Sequence, residues 1–446
     1  MRNTTVNSDG VDDSVFKPVE YTSEMQEQKY TILFPPMSPI HFEMLESALR
    51  AAGYNVEMMT EEGPKIIELG LKYANNDACY PALIVIGQFM EAVLSGRYDT
   101  NKLALIMTQT GGGCRASNYI GLIRRALKLA GYGHIPVISL NFTGMEKHSG
   151  LKYNMKLIMK CVQALYYGDT LSKLLLHTRP YEIKRGSADE LCEKWKQTFI
   201  KSLTGEGYGL SSFKSNIFGA VREFDELPIN EGLTKPRVGI VGEILVKYMP
   251  LANNHLIELL EAEGAEASLP GMIGFLEYCF RNNEYRYENL GQSRLSGLVG
   301  TVLLKFCKIM GRPMNKALAK SRRFDPPESI KTIENCATEV ISIGNQCGEG
   351  WYLAGEIVSL IKNGVNNVVC TQPFGCLPNH IAGKGIIKKL KELYPGANVI
   401  AIDYDPSASR VNQVNRIKMM LDFDASIEEN AKENEKEAEK ETVEVK

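Results

Sequence analysis

The sequence predicts an α/β protein with two similar parallel-sheet domains, and three of its features support this fold class. Of the 446 residues, 44% are hydrophobic, which is enough to fill the cores of several globular domains. Short apolar strands alternate with amphipathic helices along the chain. The same ordered set of motifs occurs in both halves, and such an internal repeat indicates the architecture more strongly than any single motif.

The first repeat begins with a predicted β-α-β unit over residues 30–59. Its parts are the apolar strand YTILF, the amphipathic helix HFEMLESALRAAG and the strand YNVEMM. From Cys79 onward the sequence predicts a helix (ALIVIGQFMEAVLSG), a strand (LALIM), a loop (TQTGGGCRASNYI), a second helix and a strand (PVISLNF).

The second repeat begins at Arg237 with the strand RVGIVGE, the helix NNHLIELLEAEG and the segment AEASLPG. From Cys347 onward the sequence predicts a helix (YLAGEIVSLIKNG), a strand (NNVVC), a loop (TQPFGCLPNHI), a further helix and a strand (NVIAIDYD). Landmark residues of the two repeats correspond one to one: Thr108-Gln109 with Thr371-Gln372, Gly113-Cys114 with Gly375-Cys376, Asn118 with Asn379, and Met107 with Cys370.

Residues 29–150 and 236–424 are therefore predicted to form two flavodoxin-like or Rossmann-like parallel-sheet domains. Residues 151–235 carry helical patterns such as NMKLIMKCVQALYYGD and are predicted to form a helical connector. A similar pattern, SRLSGLVGTVLLKFCKIMG, lies in a predicted helical insertion at about 275–335 that would cap the second domain.

Charge and composition exclude several classes of protein. Lys and Arg number 51 and Asp and Glu 53, so the net charge of -2 offers no broad basic field for nucleic acid or a membrane surface. No apolar run approaches the ~18 residues that a membrane helix needs, and the first residues lack an apolar signal core. We therefore expect a cytoplasmic protein. Residues 1–28 are polar and residues 425–446 are highly charged, and both are predicted to be disordered tails.

Cysteines carry the chemical signal of the sequence. Ten cysteines in so long a chain are too sparse for a disulfide scaffold, and reduced thiols are available to bind metal. Five of them recur at matching landmarks of the two repeats: Cys79, Cys114, Cys347, Cys370 and Cys376. Loops at the carboxyl ends of parallel strands form the ligand crevice, so thiols from both repeats are predicted to face one cleft. Thiolates together with the N–H groups of glycine-rich loops suit an iron-sulfur cluster.

Other roles for these cysteines are weighed against the cluster. A zinc site is disfavoured because no C-x-x-C pair is followed by a second pair or by spaced histidines. Cys376 and His380 form a possible nucleophile and base, but local structure is the preferred role of His380. Each cysteine taken alone fits a buried thiol in a turn. Cys336 is a reserve ligand that is predicted to precede a strand, and core packing is predicted for the remaining cysteines: Cys161, Cys192, Cys279 and Cys307.

Nucleotide-binding motifs are incomplete in this chain. HIAGKGI contains a Gly-Lys pair, but Pro378 stands where a phosphate-binding loop needs its first glycine and no Ser or Thr follows Lys384. GEGWYLAG likewise lacks the third glycine of the dinucleotide fingerprint. The sequence therefore predicts that any ATP hydrolysis coupled to this chain is performed by another protein.

Four motifs resemble one known family: NNDACYPALIVIGQ, MTQTGGGCRASNYI, GEGWYLAGE and CTQPFGCLPNHIAGKG. They are similar to the 2-hydroxyacyl-CoA dehydratase superfamily, in particular to the dehydratase-like portion of large proteins fused to activase ATPase domains. The resemblance covers nearly everything from Tyr30 to Leu421. Related members of the superfamily carry a double-cubane cluster and reduce small molecules.

The resemblance implies an oxygen-sensitive iron-sulfur cluster between two α/β domains, charged with a low-potential electron by a separate ATP-hydrolysing activator. In the dehydratases one electron passes to the thioester carbonyl of an acyl-CoA, giving a ketyl radical anion that expels a hydroxyl group. Carried over by motif, the expected ligands are the five recurring cysteines, and the cofactor is either a 4Fe-4S cluster or a double-cubane 8Fe-9S cluster if a sixth cysteine such as Cys336 joins. A dimer is expected.

Residues next to the cysteines have a predicted supporting role. Thr108, Gln109, Thr371 and Gln372 would fix the shape of the loops and hydrogen-bond the cluster, or only stabilise the turns. Two alternatives to an enzyme stay open at this point. One is a cluster-bearing electron-transfer or scaffold subunit without its own substrate, because no acid-base pair stands out. The other is a metal-free binding module with reduced core cysteines.

Overall fold

The structure is a computed structural model and describes residues 18–75, 78–109, 113–140, 146, 148–205 and 209–422. The described residues form an α/β fold with two four-stranded sheets in which all strand pairings are parallel. This confirms the predicted fold class. The predicted tail at 425–446, most of the tail at 1–28 and residues 110–112 of the first glycine-rich loop lie outside the described residues.

Both sheets have the same strand order. In the first sheet the order is β2-β1-β3-β4, with β1 (Thr31–Phe34), β2 (Val56–Met58), β3 (Leu103–Thr108) and β4 (Val137–Leu140). In the second sheet the order is β6-β5-β7-β8, with β5 (Arg237–Gly242), β6 (Glu266–Ser268), β7 (Asn367–Pro373) and β8 (Asn398–Tyr404). This is the flavodoxin-like order, in which the crevice for a ligand opens where the chain changes direction, between β1 and β3 or between β5 and β7.

Helices connect and flank these strands. In the first half of the chain they are α1 (Ser23–Glu27), α2 (Pro39–Ala51), α3 (Pro64–Tyr73), α4 (Tyr80–Leu94), α5 (Tyr119–Leu129), α6 (Met155–Thr178), α7 (Ser187–Thr204) and α8 (Leu210–Glu226). In the second half they are α9 (Ile244–Tyr248), α10 (Pro250–Asn253), α11 (Leu256–Ala262), α12 (Ile273–Asn289), α13 (Arg294–Leu318), α14 (Ile330–Thr338), α15 (Gly350–Lys362), α16 (Leu377–Ala382) and α17 (Ile387–Leu393). No helix among the described residues is both long and apolar enough to cross a membrane.

The chain divides into two compact units. The first consists of Met1–Pro36, Ala52–Ala78 and Ala82–Asn154, and the second consists of Met37–Ala51, Cys79–Pro81 and Met155–Lys446. Helix α2, which the sequence places between the first two strands of the first domain, therefore belongs to the second unit. There it packs against α6 and α7, and its Met44 is completely buried in their core.

Aromatic side chains fill the helical core of the second unit. Tyr167 of α6 stacks on Phe199 of α7 with their ring centroids 3.8 Å apart, and Phe213 of α8 packs against the same tyrosine. Burying such rings is a major source of stability, since each removes a large apolar area from water. The segments predicted as connector and cap thus share one hydrophobic core with α2.

Part of the segment predicted as an N-terminal tail is folded. Tyr21 is buried, its N–H donates to Nδ1 of His148, and its carbonyl oxygen accepts from the N–H of Gly150. Thr22 then caps α1 by accepting from the N–H of Met25. These partners lie more than 120 residues along the chain, which is why the local polarity of the segment did not indicate order.

Candidate functional site

The loops after β3 and β7 are closed in the same way. In the first unit Gln109 follows β3, and its side-chain Nε2 donates to the carbonyl oxygen of Ser117 at 3.0 Å. In the second unit Gln372 Nε2 donates to Nε2 of the His380 ring at 3.0 Å. Each glutamine reaches the residue eight positions further along the chain. Each glutamine of the corresponding Thr-Gln pairs therefore holds its own cysteine loop by a hydrogen bond, to a backbone carbonyl oxygen in the first unit and to a histidine ring in the second.

Cys114 and Cys376 occupy equivalent positions in these loops. Cys114 immediately precedes the short 3₁₀ turn Arg115–Asn118, and Cys376 immediately precedes α16. Both have an extended backbone, and their carbonyl oxygens accept from Ser117 and His380 respectively. Each cysteine therefore lies at the start of a short helical turn and accepts a backbone hydrogen bond from that turn.

Cys79 lies next to the turn that carries Cys376. Cys79 is buried immediately before α4, and a Cβ atom built on Gly375 would lie 3.9 Å from its Cα atom. Gly375 has a φ of +74°, a left-handed conformation that favours glycine at this point of the turn. The structure thus brings together two of the five predicted ligands, one from each repeat of the sequence.

Cys370 lies deeper in the second unit. Its side chain is completely buried beside Leu353 of α15, and its thiol donates to Asn379 Oδ1 at 3.5 Å. Burial, with nearby Glu349 as a smaller cause, raises the pKa of the Cys370 thiol to about 12. Without a metal this thiol stays protonated, and binding iron would break its hydrogen bond to Asn379 of α16.

Cys347 is exposed and lies in a tight turn before α15. Gly350 has a φ of +45°, and a Cβ atom there would lie 2.0 Å from the carbonyl oxygen of Asn345, so the turn requires glycine. The hydroxyl of Tyr278 donates to the carbonyl oxygen of Gly348 at 2.9 Å. This cysteine is therefore held on a fixed backbone while its thiol remains accessible.

The remaining cysteines lie on helices. Cys336 is on α14 rather than before a strand, because residues 339–346 form turns, and it is buried in the core that also holds Cys370. Cys192 and Cys307 are buried, and Cys161 and Cys279 are largely covered. Burial is the main cause that raises the pKa of all five thiols. This supports core packing for the four cysteines that were expected there and favours the same role for Cys336.

His380 is engaged with the backbone of the loop. Its Nδ1 lies 2.8 Å from the carbonyl oxygen of Cys376, and its Nε2 accepts from Gln372. With the proton on Nδ1 both hydrogen bonds are satisfied, which fixes the orientation of the ring. This arrangement supports the local structural role that the sequence favoured for His380 over that of a general base.

Two buried polar atoms lie beside the Cys376 turn, Gln372 Oε1 and Asn379 Nδ2. Neither has a hydrogen-bond partner among the described residues. Such atoms are costly unless a ligand or water satisfies them, and an amide N–H suits a sulfide or thiolate. No group of three or more His, Cys, Asp and Glu residues in the described part of the chain is arranged around a single metal ion. A cluster several ångströms wide does not need such convergence, and Cys79 and the Gly375-Cys376 turn lie on adjacent backbone segments.

Sequence reasoning missed a group of buried acids at the end of β5. Glu349 accepts from the N–H of Ile244 at 2.9 Å, and Glu243 accepts from the N–H of Val246 at 2.9 Å. Burial, and to a smaller extent the neighbouring Glu349, raise the pKa of Glu243 to about 8. In the sequence, Glu243 only follows a predicted strand and Glu349 only lies in a glycine-rich turn. Acidic residues at such positions are also typical of exposed loops, so the sequence did not indicate that they are buried together.

No protein-family model matches this chain, and no curated protein sequence matches it significantly.

Proposed function

We propose that this chain is an iron-sulfur protein of the 2-hydroxyacyl-CoA dehydratase type. The observation that carries the proposal is the position of Cys79 at the Gly375-Cys376 turn, since two cysteines from repeated motifs distant in sequence lie together there. The shared loop closure by Gln109 and Gln372 supports a common origin of the two cysteine loops. If the cysteines only packed in the core, neither the proximity of Cys79 to the Cys376 turn nor the two glutamine hydrogen bonds would be expected.

The residues around this turn have defined parts in the proposed site. Cys79 and Cys376 would bind iron through their thiolates, and the Asn379 side-chain amide would donate to a sulfur atom. Gln372 holds the loop through His380 and keeps the turn in shape. When bound, the cluster supplies one-electron chemistry at low potential. The resemblance adds Cys114, Cys347 and Cys370 to the ligand set, for a 4Fe-4S or a double-cubane 8Fe-9S cluster.

The proposed activity is ATP-coupled through another protein. A separate ATP-hydrolysing activator would supply low-potential electrons, and these would serve radical dehydration of an acyl-CoA or reduction of a small molecule. The absence of a complete phosphate-binding loop in the sequence supports a separate activator. We place the protein in the cytoplasm, where its ten cysteines stay reduced, and expect it to act as a dimer.

One observation favours a second candidate, a cluster-bearing electron-transfer subunit without its own substrate. The second unit contains a partly open cavity of about 1250 Å³, and none of the five predicted ligand cysteines lines it. A substrate bound there would be separated from those thiols. Turnover of a 2-hydroxyacyl-CoA by the protein with its activator would reject this candidate, and electron transfer without turnover would favour it.

The proposal is tested by purifying the full chain under anaerobic conditions, reconstituting it with iron and sulfide, and measuring both elements per chain. About four irons indicate a single cubane and about eight a double cubane. Electron paramagnetic resonance of the reduced protein then distinguishes a cluster from adventitious iron. Fewer than about three irons per chain, with no cluster signal, would refute the proposal.

A further inference from the structure

The large cavity of the second unit is a separate feature of the molecule. One face of α6, parts of α12, α13 and α15, and the segment 323–331 line its volume of about 1250 Å³. This exceeds the usual volume of small-molecule sites, which is ~300–1,000 Å³. The cavity therefore has room for an organic ligand that the proposed cluster chemistry does not use.

Most ionisable groups in the wall already have partners. Asp169 accepts from the N–H groups of Met272 and Ile273 at 2.7 and 3.0 Å, and its Oδ1 lies 2.9 Å from Nε2 of His41. Glu356 is paired with Lys247 at 2.8 Å. Glu266 bonds to His177 and, at 2.6 Å, to the hydroxyl of Tyr181. These paired groups maintain the wall, and the further lining residues Lys305, Lys308 and Asp325 are exposed to solvent.

Lys173 and Glu277 differ from them. Both line the cavity and are partly buried, yet neither forms a hydrogen bond or an ion pair with any residue that the structure describes. Burial lowers the pKa of Lys173, and burial with the neighbouring Asp169 raises the pKa of Glu277 to about 7. Partly burying two ionisable groups without partners lowers the stability of the protein. Such unpaired groups in a cavity are typical of binding sites.

The surroundings of the two groups define the ligand charge that each accepts. Glu277 lies near Asp169, so a cation placed there is attracted by two carboxylates. Lys173 follows Asp169 by one turn of α6 and is a donor for a carboxylate. Three carboxylates, Asp325, Glu266 and Glu328, lie near Lys173 together with one cation, Arg237. The surrounding charge is therefore net negative and repels an anion with several charges, such as a phosphate, more strongly than a single carboxylate.

We propose that this cavity binds a small zwitterion, an amino acid or a short peptide with free termini, whose carboxylate pairs with Lys173 and whose ammonium group pairs with Glu277. The pairing satisfies both groups at once. The apolar wall formed by Leu304, Met314 and Leu360 leaves space for the side chains of the ligand.

The test is a binding measurement on the full chain. The probes are the twenty standard amino acids and alanine peptides of two to four residues, screened by thermal shift and then by calorimetric titration. The best probe is compared with its N-acetyl and C-amide derivatives. Each derivative loses one charge and is expected to bind at least ~10-fold more weakly to the wild-type protein, because one charge-assisted hydrogen bond is lost.

Variants assign each end of the ligand. Lys173→Met is expected to weaken the free probe about 10-fold and to cancel the effect of amidation, and Glu277→Gln to cancel the effect of acetylation. Lys316→Met and Glu288→Gln, exposed residues of α13 and α12 outside the cavity wall, are the matched controls and should leave affinity unchanged.

Three results would overturn the proposal: no probe binds, the derivatives bind the wild-type protein as well as the free probe does, or the two cavity variants behave as the controls do. The derivative comparison uses wild-type protein and remains decisive if a variant fails to fold. Iron content is measured on the same samples. Failure of zwitterion binding with iron retained refutes this inference alone, and loss of iron refutes the proposed function alone.

Discussion

Lys247 and Glu356 form an ion pair inside the second unit. Their Nζ and Oε1 atoms are 2.8 Å apart, and only 4% of either side chain is exposed. Removing one partner leaves an uncompensated buried charge, so Lys247→Met should lower the free energy of unfolding by about 3–5 kcal/mol. Urea denaturation followed by circular dichroism measures this change.

The double variant Lys247→Met/Glu356→Gln is the control for this ion pair. It removes both charges together and should be at least ~1 kcal/mol more stable than Lys247→Met alone. If the double variant is instead less stable than the wild-type protein by the sum of the two single effects, the two side chains do not act as a pair.

Glu277 predicts a pH dependence of stability. Its pKa is raised from 4.5 to about 7, mainly by burial, so the folded protein holds this proton more tightly than the unfolded chain does. The contribution to stability is present below pH 4.5 and is lost as the pH rises through 7. Between pH 5 and pH 8 the wild-type protein should therefore lose about 2 kcal/mol more than Glu277→Gln, as measured by urea denaturation at each pH. Parallel stability profiles of the two proteins would contradict this assignment.

The roles of some individual side chains could be predicted from the sequence, and the roles of others could not. The local roles of His380 and of the two glutamines follow from short spacings, because their partners lie within eight residues. Cys336 was expected before a strand, since TEVISI is rich in β-branched residues, but the segment forms turns after α14. Lys173 and Glu277 gave no signal, because their cavity is assembled from elements distant in the chain.

Helices α3 and α4 of the first unit approach closely at glycines. A Cβ atom on Gly87 would lie 1.9 Å from the carbonyl oxygen of Ile66, and one on Gly70 would lie 2.2 Å from that of Leu83. Gly87→Ala must therefore push the helices apart and should cost about 2–3 kcal/mol of stability. Thermal unfolding of the variant measures the cost.

Gly121 on α5 is the matched control, because it is exposed and has no heavy atom within 4 Å of a built Cβ atom. Gly121→Ala should raise stability by up to ~1 kcal/mol, since alanine is the better helix former. Equal effects of the two substitutions would show that helix propensity, and not close packing, determines the role of Gly87.

Strands and helices were predictable from the sequence where their patterns are local. The apolar runs YTILF and RVGIVGE contain β1 and β5, and the amphipathic stretch beginning at His41 lies within α2 except for its last two residues, Ala52 and Gly53. The location of α2 in the second unit was not predictable, because an apolar stripe specifies that a helix is buried but not against which partner. β7 also extends through Pro373, so Thr371 and Gln372 belong to the strand and not to the loop.

At the scale of the whole molecule, the repeat in the sequence predicted the duplicated architecture. Landmarks such as the Thr-Gln pairs fall at the ends of β3 and β7, which occupy the same position in sheets of identical order. Each compact unit, however, is assembled from three segments of the chain. Domain prediction from the sequence assigns continuous ranges to each domain. No local signal shows that a short segment such as α2 belongs to a different unit from the residues on either side of it.

The central claim, that cysteines of both repeats bind one cluster, is tested most directly by iron content in matched alanine variants. After anaerobic reconstitution, Cys79→Ala and Cys376→Ala are compared with Cys192→Ala, which replaces a buried cysteine of the helical core. Alanine variants of the other predicted ligands, Cys114, Cys347 and Cys370, are measured in the same way. Iron per chain and the visible absorbance of the cluster should fall by at least about half in the Cys79 and Cys376 variants and stay at the wild-type level in the Cys192 variant. Equal iron content in these three variants would contradict the claim.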